Sequence, residues 1–219
     1  PMNVFDIIGP VMIGPSSSHT AGAARIGRIA YMLLGQPAKR AEILLHGSFA
    51  KTYKGHGTDK ALIAGIMGMK PDDARLRSSF ELAEQAGLSF EITTGHLEDA
   101  HPNTAQITLY GEDSQVSVQG ASVGGGNILI NRINGMAVEI SGQFTTLIVL
   151  HRDAPGTIAH VTELLGSNGI NIANFRLARE QKGGTAVMTI EIDGDAGKEL
   201  NRQVAALENV LGSTMLKPI

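Results

Sequence analysis

Thr145-Thr146-Leu147-Ile148-Val149-Leu150-His151-Arg152-Asp153-Ala154-Pro155-Gly156-Thr157-Ile158-Ala159-His160-Val161 is the stretch that decides the fold class. The apolar run Thr145–His151 reads as a strand, and Asp153-Ala154-Pro155-Gly156 turns the chain. From Thr157 to Ser167 the apolar residues Ile158, Val161, Leu164 and Leu165 share one helical face, and Asn168-Gly169 stops that helix. Ile170–Arg179 reads as a second strand, Lys182-Gly183-Gly184 as a hairpin turn, and Thr185–Ile192 as a third strand. A second helix over Ala196–Leu207 buries Leu200, Val204 and Leu207, and Val210–Leu216 closes the unit as a fourth strand. The order βαββαβ over residues 145–219 specifies a ferredoxin-like sandwich, because turns, stops and periodicity all agree.

Upstream, Ser141-Gly142-Gln143 is a polar break that sets off a first domain, residues 1–141. There, an apolar segment Asn3–Ile8 is stopped by Gly9-Pro10. Ala21–Leu34 is expected to be helical, with Ile26, Ile29, Ala30 and Leu33 on one face, followed by a short strand Ala41–Leu45 closed by His46-Gly47-Ser48. Further helices are expected over Thr58–Met67 and Phe80–Ala86. Strands are expected at Ser89–Thr93, Ala105–Tyr110, Gln115–Gln119, Asn127–Ile130 and Met136–Ile140, with Asn134-Gly135 as the turn between the last two. The fold class is therefore α+β: a mixed α/β N-terminal domain followed by the βαββαβ unit.

Composition excludes several classes of function. The chain has 219 residues, 42% hydrophobic but only 4% aromatic, so its cores are built from small aliphatic side chains. A formal net charge of −3 gives no electrostatic case for nucleic acid or an acidic membrane. No apolar run approaches the roughly 20 residues of a membrane helix, and Pro1-Met2-Asn3-Val4-Phe5 lacks the pattern of a secretory signal. A soluble cytoplasmic protein is expected. The absence of cysteine rules out disulfides and cysteine-ligated clusters within the chain.

The chemistry concentrates in Gly14-Pro15-Ser16-Ser17-Ser18-His19-Thr20. Gly14-Pro15 forces a turn, and the hydroxyls that follow sit where a helix begins, with unpaired backbone N–H groups facing outward. Ser, Thr and Pro are what any helix start uses, but this run of hydroxyls with an imidazole exceeds what capping requires. It is a receptor for a small carboxylate or phosphate. The motifs of other chemistries are missing: there is no GxxxxGK[ST], GxGxxG or HExxH, and no metal is assigned to this chain's side chains. Gly124-Gly125-Gly126 is read as a bulge or a site of close chain approach.

Two resemblances add to this. The βαββαβ unit, with Asp153-x-Pro155-Gly156 at its first strand–helix turn and Asn168-Gly169-Ile170-Asn171-Ile172 beyond, resembles an ACT domain. Such domains pair side by side and bind amino acids next to that turn, which implies an effector site at Asp153, Pro155, Gly156 and Asn171 and a homodimer. The first region, with Gly14–Thr20, then Lys54-Gly55-His56-Gly57-Thr58-Asp59, His101-Pro102-Asn103 and Ser122-Val123-Gly124-Gly125-Gly126, resembles the β chain of bacterial iron–sulfur L-serine dehydratases over nearly its whole length. A related fold occurs in some phosphoglycerate dehydrogenases, where it is regarded as an anion-binding regulatory domain.

The resemblance implies an α-chain partner that carries a [4Fe–4S] cluster on its own cysteines. It also implies that this chain helps convert L-serine to pyruvate and ammonia and is inactive alone. Removing the α-proton and hydroxide of serine calls for a Lewis acid on the hydroxyl, a grip on the carboxylate and ammonium, and a proton acceptor near neutral pH. Ser16, Ser17, Ser18 and Thr20 suit the carboxylate, with Lys54, Gly57, Thr58 and Asn103 completing the substrate-binding set. His19, His56 and His101 suit proton movement, and Asp59 suits an imidazole or the ammonium. The remaining histidines carry little functional weight. The competing reading is a non-catalytic amino-acid sensor with an ACT domain. It leaves three imidazoles, each in a short loop, without a use.

Overall fold

The computed structural model describes residues 17–218. The segment Asn3–Ile8, the Gly14-Pro15 turn and Ser16 lie outside the described residues. A long helix α1 (Ser17–Leu34) leads into β1 (Arg40–Leu45), the short α2 (Gly47–Thr52), α3 (Thr58–Ile66), a 3-10 turn (Ala74–Ser78) and α4 (Ser79–Gln85). Five strands follow: β2 (Ser89–Thr94), β3 (Thr104–Tyr110), β4 (Gln115–Gly124), β5 (Asn127–Ile133) and β6 (Met136–Ile140). They form with β1 a six-stranded sheet of order β2-β1-β3-β4-β5-β6. Only β1 and β2 pair in parallel, since the helices between them form the crossover that parallel pairing needs.

The sequence places the start of α1 four residues too late, at Ala21. Ser17 to Thr20 are already helical, so His19 sits in the first turns of α1 and not in a loop. α2 was expected to be a turn; at six residues it is too short to show a helical period. β4 runs on past Gln119 because Gly120 lets it pass beneath α1, where a Cβ would strike Ile130 and Ile26. Gly124-Gly125-Gly126 forms the β4–β5 turn, with the expected bulge just before it at Ser122/Gly124.

The C-terminal unit is β7 (Thr146–Arg152), α5 (Thr157–Ser167), β8 (Ile172–Arg179), β9 (Thr185–Ile192), α6 (Lys198–Ala205) and β10 (Val210–Leu216). Its sheet order is β10-β7-β9-β8, with every pair antiparallel, which is the βαββαβ sandwich. Strand alternation divides its apolar residues between two cores. Leu147, Val149, Met188 and Ile190 pack against Val161, Leu165, Leu200 and Val204 of the two helices. Ile148, Val187 and Leu216 point the other way and join the core of the first region.

α1 and α3 carry that first core. They run in the same sense: Thr20 meets His56 at one end, and Arg28 and Tyr31 meet Gly68 at the other. Between these points the helices nearly touch. A Cβ on Gly27 would stand 2.5 Å from the carbonyl oxygen of Leu62, and one on Gly65 would overlap that of Ala24. Gly65→Ala is therefore expected to lower stability by about 2 kcal/mol through overpacking. Gly166→Ala, in α5 where nothing lies within 4 Å of the new methyl, should leave stability unchanged or raise it by up to about 1 kcal/mol. Urea unfolding midpoints of the two variants check this.

Candidate active site

Because α1 and α3 are parallel, their N-terminal ends, each carrying partial positive charge, arrive side by side. The loop between α2 and α3 closes this end. Thr58 N–H donates to the Tyr53 carbonyl at 3.0 Å, and Gly57 turns with φ +72°, a conformation that favours glycine. The His56 N–H donates to the Thr52 carbonyl at 3.1 Å, and the Thr20 hydroxyl donates to the His56 carbonyl at 3.1 Å. These bonds fix the loop to the first turns of α1.

The result is an imidazole pair. The rings of His19 and His56 lie 5.5 Å apart between centroids, tilted by 41°. Phe49, fully buried on α2, meets His19 edge-on, also at 5.5 Å. Nδ1 of His19, Nδ1 of His56, the Thr58 hydroxyl and Oδ1 of Asn103 are all buried without a hydrogen-bond partner among the described residues. Orphaned buried polar atoms cost about 1–3 kcal/mol each unless water or a ligand satisfies them. Three of them, from two of the sequence motifs, lie at the joined ends of α1 and α3, where a polar ligand would satisfy them.

The electrostatics suit a proton acceptor. Burial, and then the neighbouring His56, hold the His19 imidazole below its ordinary value of 6.5, so it stays neutral near neutral pH. Burial pushes the Asp59 carboxyl up, opposed by the Lys60 N–H and the charges of Lys60 and Lys54. One oxygen of Asp59 accepts that Lys60 N–H at 2.8 Å. Lys54 is exposed at the rim, with its ammonium 5.7 Å from the centre of the Tyr53 ring.

The third motif reaches the same end of α1 through its backbone. The Asn103 carbonyl accepts from Ser122 N–H at 2.9 Å, and Ser122 packs against Gly22, one turn beyond His19. His101 is not brought into the pair: it is exposed, and its Nδ1 accepts the Asn103 N–H at 3.0 Å, which braces the loop. Pro102 presses on α2, its carbonyl accepting from Ser48 N–H at 2.7 Å. Ser17 and Ser18 fall in the opening turn of α1. Phe49 was missed as the wall behind His19, since an isolated apolar residue carries no signal. His46 is buried just before α2, its Nδ1 accepting from Leu97 N–H at 3.0 Å and its ring 5.2 Å from that of His96.

At the C-terminal unit the expected effector residues are engaged internally. Asp153 accepts from Gly183 N–H at 3.0 Å and from Arg179 at 3.1 Å, and these bonds hold its carboxyl below the usual range while pinning the β8–β9 turn. Asn171 donates to Asp193 at 2.7 Å. Gly156, next to Pro155, precedes α5 with φ +89°, and a Cβ there would meet the His160 ring at 3.6 Å, an ordinary contact.

Residues 3–132 match the family model described as serine dehydratase beta chain. The chain belongs to that family. Residues 147–212 match the model of an AHAS small subunit-like ACT domain, so the C-terminal sandwich is an ACT domain. The chain is 43% identical over 214 residues to the "Probable L-serine dehydratase, beta chain" of Bacillus subtilis, covering 98% of this chain and 97% of that protein. It is 40% identical over 208 residues to the L-serine dehydratase beta chain of Peptoniphilus asaccharolyticus, with 94% of each covered. It is also 30% identical over 163 residues to the L-serine dehydratase TdcG of Escherichia coli, covering 64% of this chain and 36% of that one. Among the described residues no helix is long and apolar enough to cross a membrane.

In this β chain the two causes acting on His19 can be separated by NMR. In His56→Ala the His19 imidazole should titrate closer to 6.5 yet stay below it, because burial is the larger cause. A shift that vanishes with His56 would show that the neighbouring ring alone sets it.

Proposed function

We propose that this chain is the β subunit of an L-serine dehydratase (L-serine ammonia-lyase), and that its His19–His56 pair handles protons in the loss of water from serine. The observation that carries this reading is the placement of two partly buried imidazoles, 5.5 Å apart, at the joined N-terminal ends of α1 and α3. Membership of the serine dehydratase beta-chain family supports it.

The carboxylate of serine would lie at the start of α1, where backbone N–H groups and the helix dipole favour negative charge, with Ser16, Ser17, Ser18 and Thr20 as its expected partners. Thr58, at the start of α3, faces it with a buried hydroxyl that has no partner among the described residues. The second oxygen of Asp59 is left for the ammonium, with Lys54 at the mouth to draw in the anion. His19, held neutral, takes the α-proton, and His56 beside it passes the proton on. Asn103 donates its amide to the substrate, and the His101 brace keeps it in place. Proton and hydroxide leave together as water, and the aminoacrylate formed becomes its imine and hydrolyses to pyruvate and ammonia.

In this reading the Lewis acid that the hydroxide needs comes from outside this chain. The chain has no cysteine, and no group of three or more carboxylate or imidazole side chains among the described residues could hold a metal ion. A [4Fe–4S] cluster on an α partner would supply a Lewis-acidic iron for the substrate hydroxyl. This chain matches 36% of the length of TdcG, which leaves most of that enzyme to carry what the chain lacks. The ACT domain would join two copies side by side through an exposed edge such as β8, where Leu177 is 42% exposed.

Mixed anaerobically with its α partner, the chain is expected to restore pyruvate formation that neither shows alone, and His19→Ala or His56→Ala should lower kcat at least about 100-fold. Full turnover by the α chain alone, or by the double variant, would instead favour the amino-acid sensor. Light scattering should give a dimer of this chain at high concentration; a strict monomer would count against pairing through the ACT domain.

A further inference from the structure

A histidine that moves protons is ordinarily aimed by a hydrogen bond on its second ring nitrogen, to a carboxylate or a backbone group. Other histidines of this chain are tied in that way. Nδ1 of His46 accepts from Leu97 N–H and Nδ1 of His101 from Asn103 N–H, each at 3.0 Å, and Nδ1 of His151 lies 2.8 Å from the Arg152 carbonyl oxygen. The pair at the head of α1 and α3 is not. Nδ1 of His19 and Nδ1 of His56 are buried with no hydrogen-bond partner among the described residues. The torsion that turns an imidazole about its Cβ–Cγ bond is broad, so an untied ring needs something else to hold its direction.

At His19 that support is the ring of Phe49, fully buried and set at 85° to the imidazole with 5.5 Å between centroids. Near-perpendicular packing at this distance is a favoured aromatic arrangement, and in a close-packed core a turn of either ring would leave a gap. Phe49 holds its place only because α2 does, and six residues do not sustain a helix alone. The clamp comes from the loop before β3. His46 N–H donates to the Thr104 carbonyl at 3.0 Å and Ser48 N–H to the Pro102 carbonyl at 2.7 Å. Gly47 turns with φ +62°, and a Cβ there would stand 2.4 Å from the Pro102 carbonyl oxygen. At the far end of α2 the Thr52 carbonyl accepts the His56 N–H at 3.1 Å. One clamped turn of helix therefore meets His19 through a side chain and His56 through its backbone.

We propose that Phe49 is a positioning residue of this site: its ring, carried on α2 and clamped by Pro102, aims the His19 imidazole where a hydrogen bond would otherwise do so. Aiming by an apolar contact has a chemical consequence. A carboxylate on the second nitrogen makes an imidazole more basic, whereas a hydrocarbon ring directs it and adds to its burial. Burial is the larger of the two causes that hold His19 below 6.5, the His56 ring being the other. The His101-Pro102-Asn103 motif, whose own imidazole lies outside the pair, thereby acts on the site through α2. The catalytic value of this aim rests on the proton-accepting role proposed above for His19; the contact itself does not.

NMR titration of the full chain compares Phe49→Leu, which keeps an apolar side chain but removes the ring, with Phe80→Leu, which removes a ring from the Phe80–Phe90 contact instead. In Phe49→Leu the His19 imidazole should titrate higher, closer to 6.5, while in Phe80→Leu it should titrate as in the parent chain. Assembled with the α partner, Phe49→Leu should lower kcat about 10- to 100-fold and leave KM within about twofold. The acid limb of its kcat profile should move up in pH, since a base that titrates higher is protonated over more of the range. Phe49→Met, also ringless, takes the place of Phe49→Leu if circular dichroism of the latter departs from that of the parent. An unchanged His19 titration in the folded ringless variant, or an equal change in Phe80→Leu, overturns the proposal. So does full turnover by Phe49→Leu where His19→Ala has lost it. If His19→Ala keeps full turnover while Phe49→Leu still moves the His19 titration, the proton-accepting role falls and the aiming contact stands.

Discussion

Where α1 crosses α3, no side chain separates the two backbones. Gly27 faces the Leu62 carbonyl and Gly65 faces the Ala24 carbonyl, each so close that a methyl group would collide. Close approach of two parallel helices fixes their rotation and their relative height, since neither can slide without forcing backbone into backbone. That registration is what sets the first turns of α1 beside the loop leading into α3. His19 and His56, 37 positions apart in the sequence, become neighbours for a reason that involves neither imidazole.

The site stands on this frame at a cost in stability. Nδ1 atoms of both rings, the Thr58 hydroxyl and the side-chain Oδ1 of Asn103 are withdrawn from water with no partner among the described residues. A core free of functional demands would not keep them, since each orphan outweighs the net gain of a typical hydrogen bond. Burial also has a chemical consequence, because it holds His19 neutral where an exposed imidazole would be partly charged. The groups that destabilise the empty fold are the ones a polar substrate would engage.

The sequence made the βαββαβ sandwich legible because its turns, stops and alternation point to one answer, and the strands and helices fall within a few residues of where they are expected. His19 and His56 were legible through their neighbours in short polar motifs. What remained hidden was relational. The six-residue α2 is too short to announce itself, so Phe49 could not be seen as the wall behind His19. His101 looked equivalent to the other two imidazoles, yet its Nδ1 is spent on the Asn103 N–H, a bond that depends on loop conformation. Asp153 and Asn171 have the chemistry of ligand groups, but Gly183, Arg179 and Asp193 reach them first.

The second face of the ACT sheet was equally invisible. A continuous apolar run such as Leu147-Ile148-Val149-Leu150 announces burial on both sides without saying what covers the second. Here α5 and α6 cover one face and the first region covers the other, taking Ile148, Val187 and Leu216 into its own core. The ACT domain is therefore not a bead on a flexible tether. Separating it would expose apolar surface on both parts, and the Thr214 hydroxyl reaches the Met32 carbonyl of α1 at 3.4 Å. A change at the ACT domain that shifts β10 must act on α1, and α1 cannot shift without disturbing its glycine contact with α3. Any effector bound at one end and chemistry at the other thus meet in a single helix.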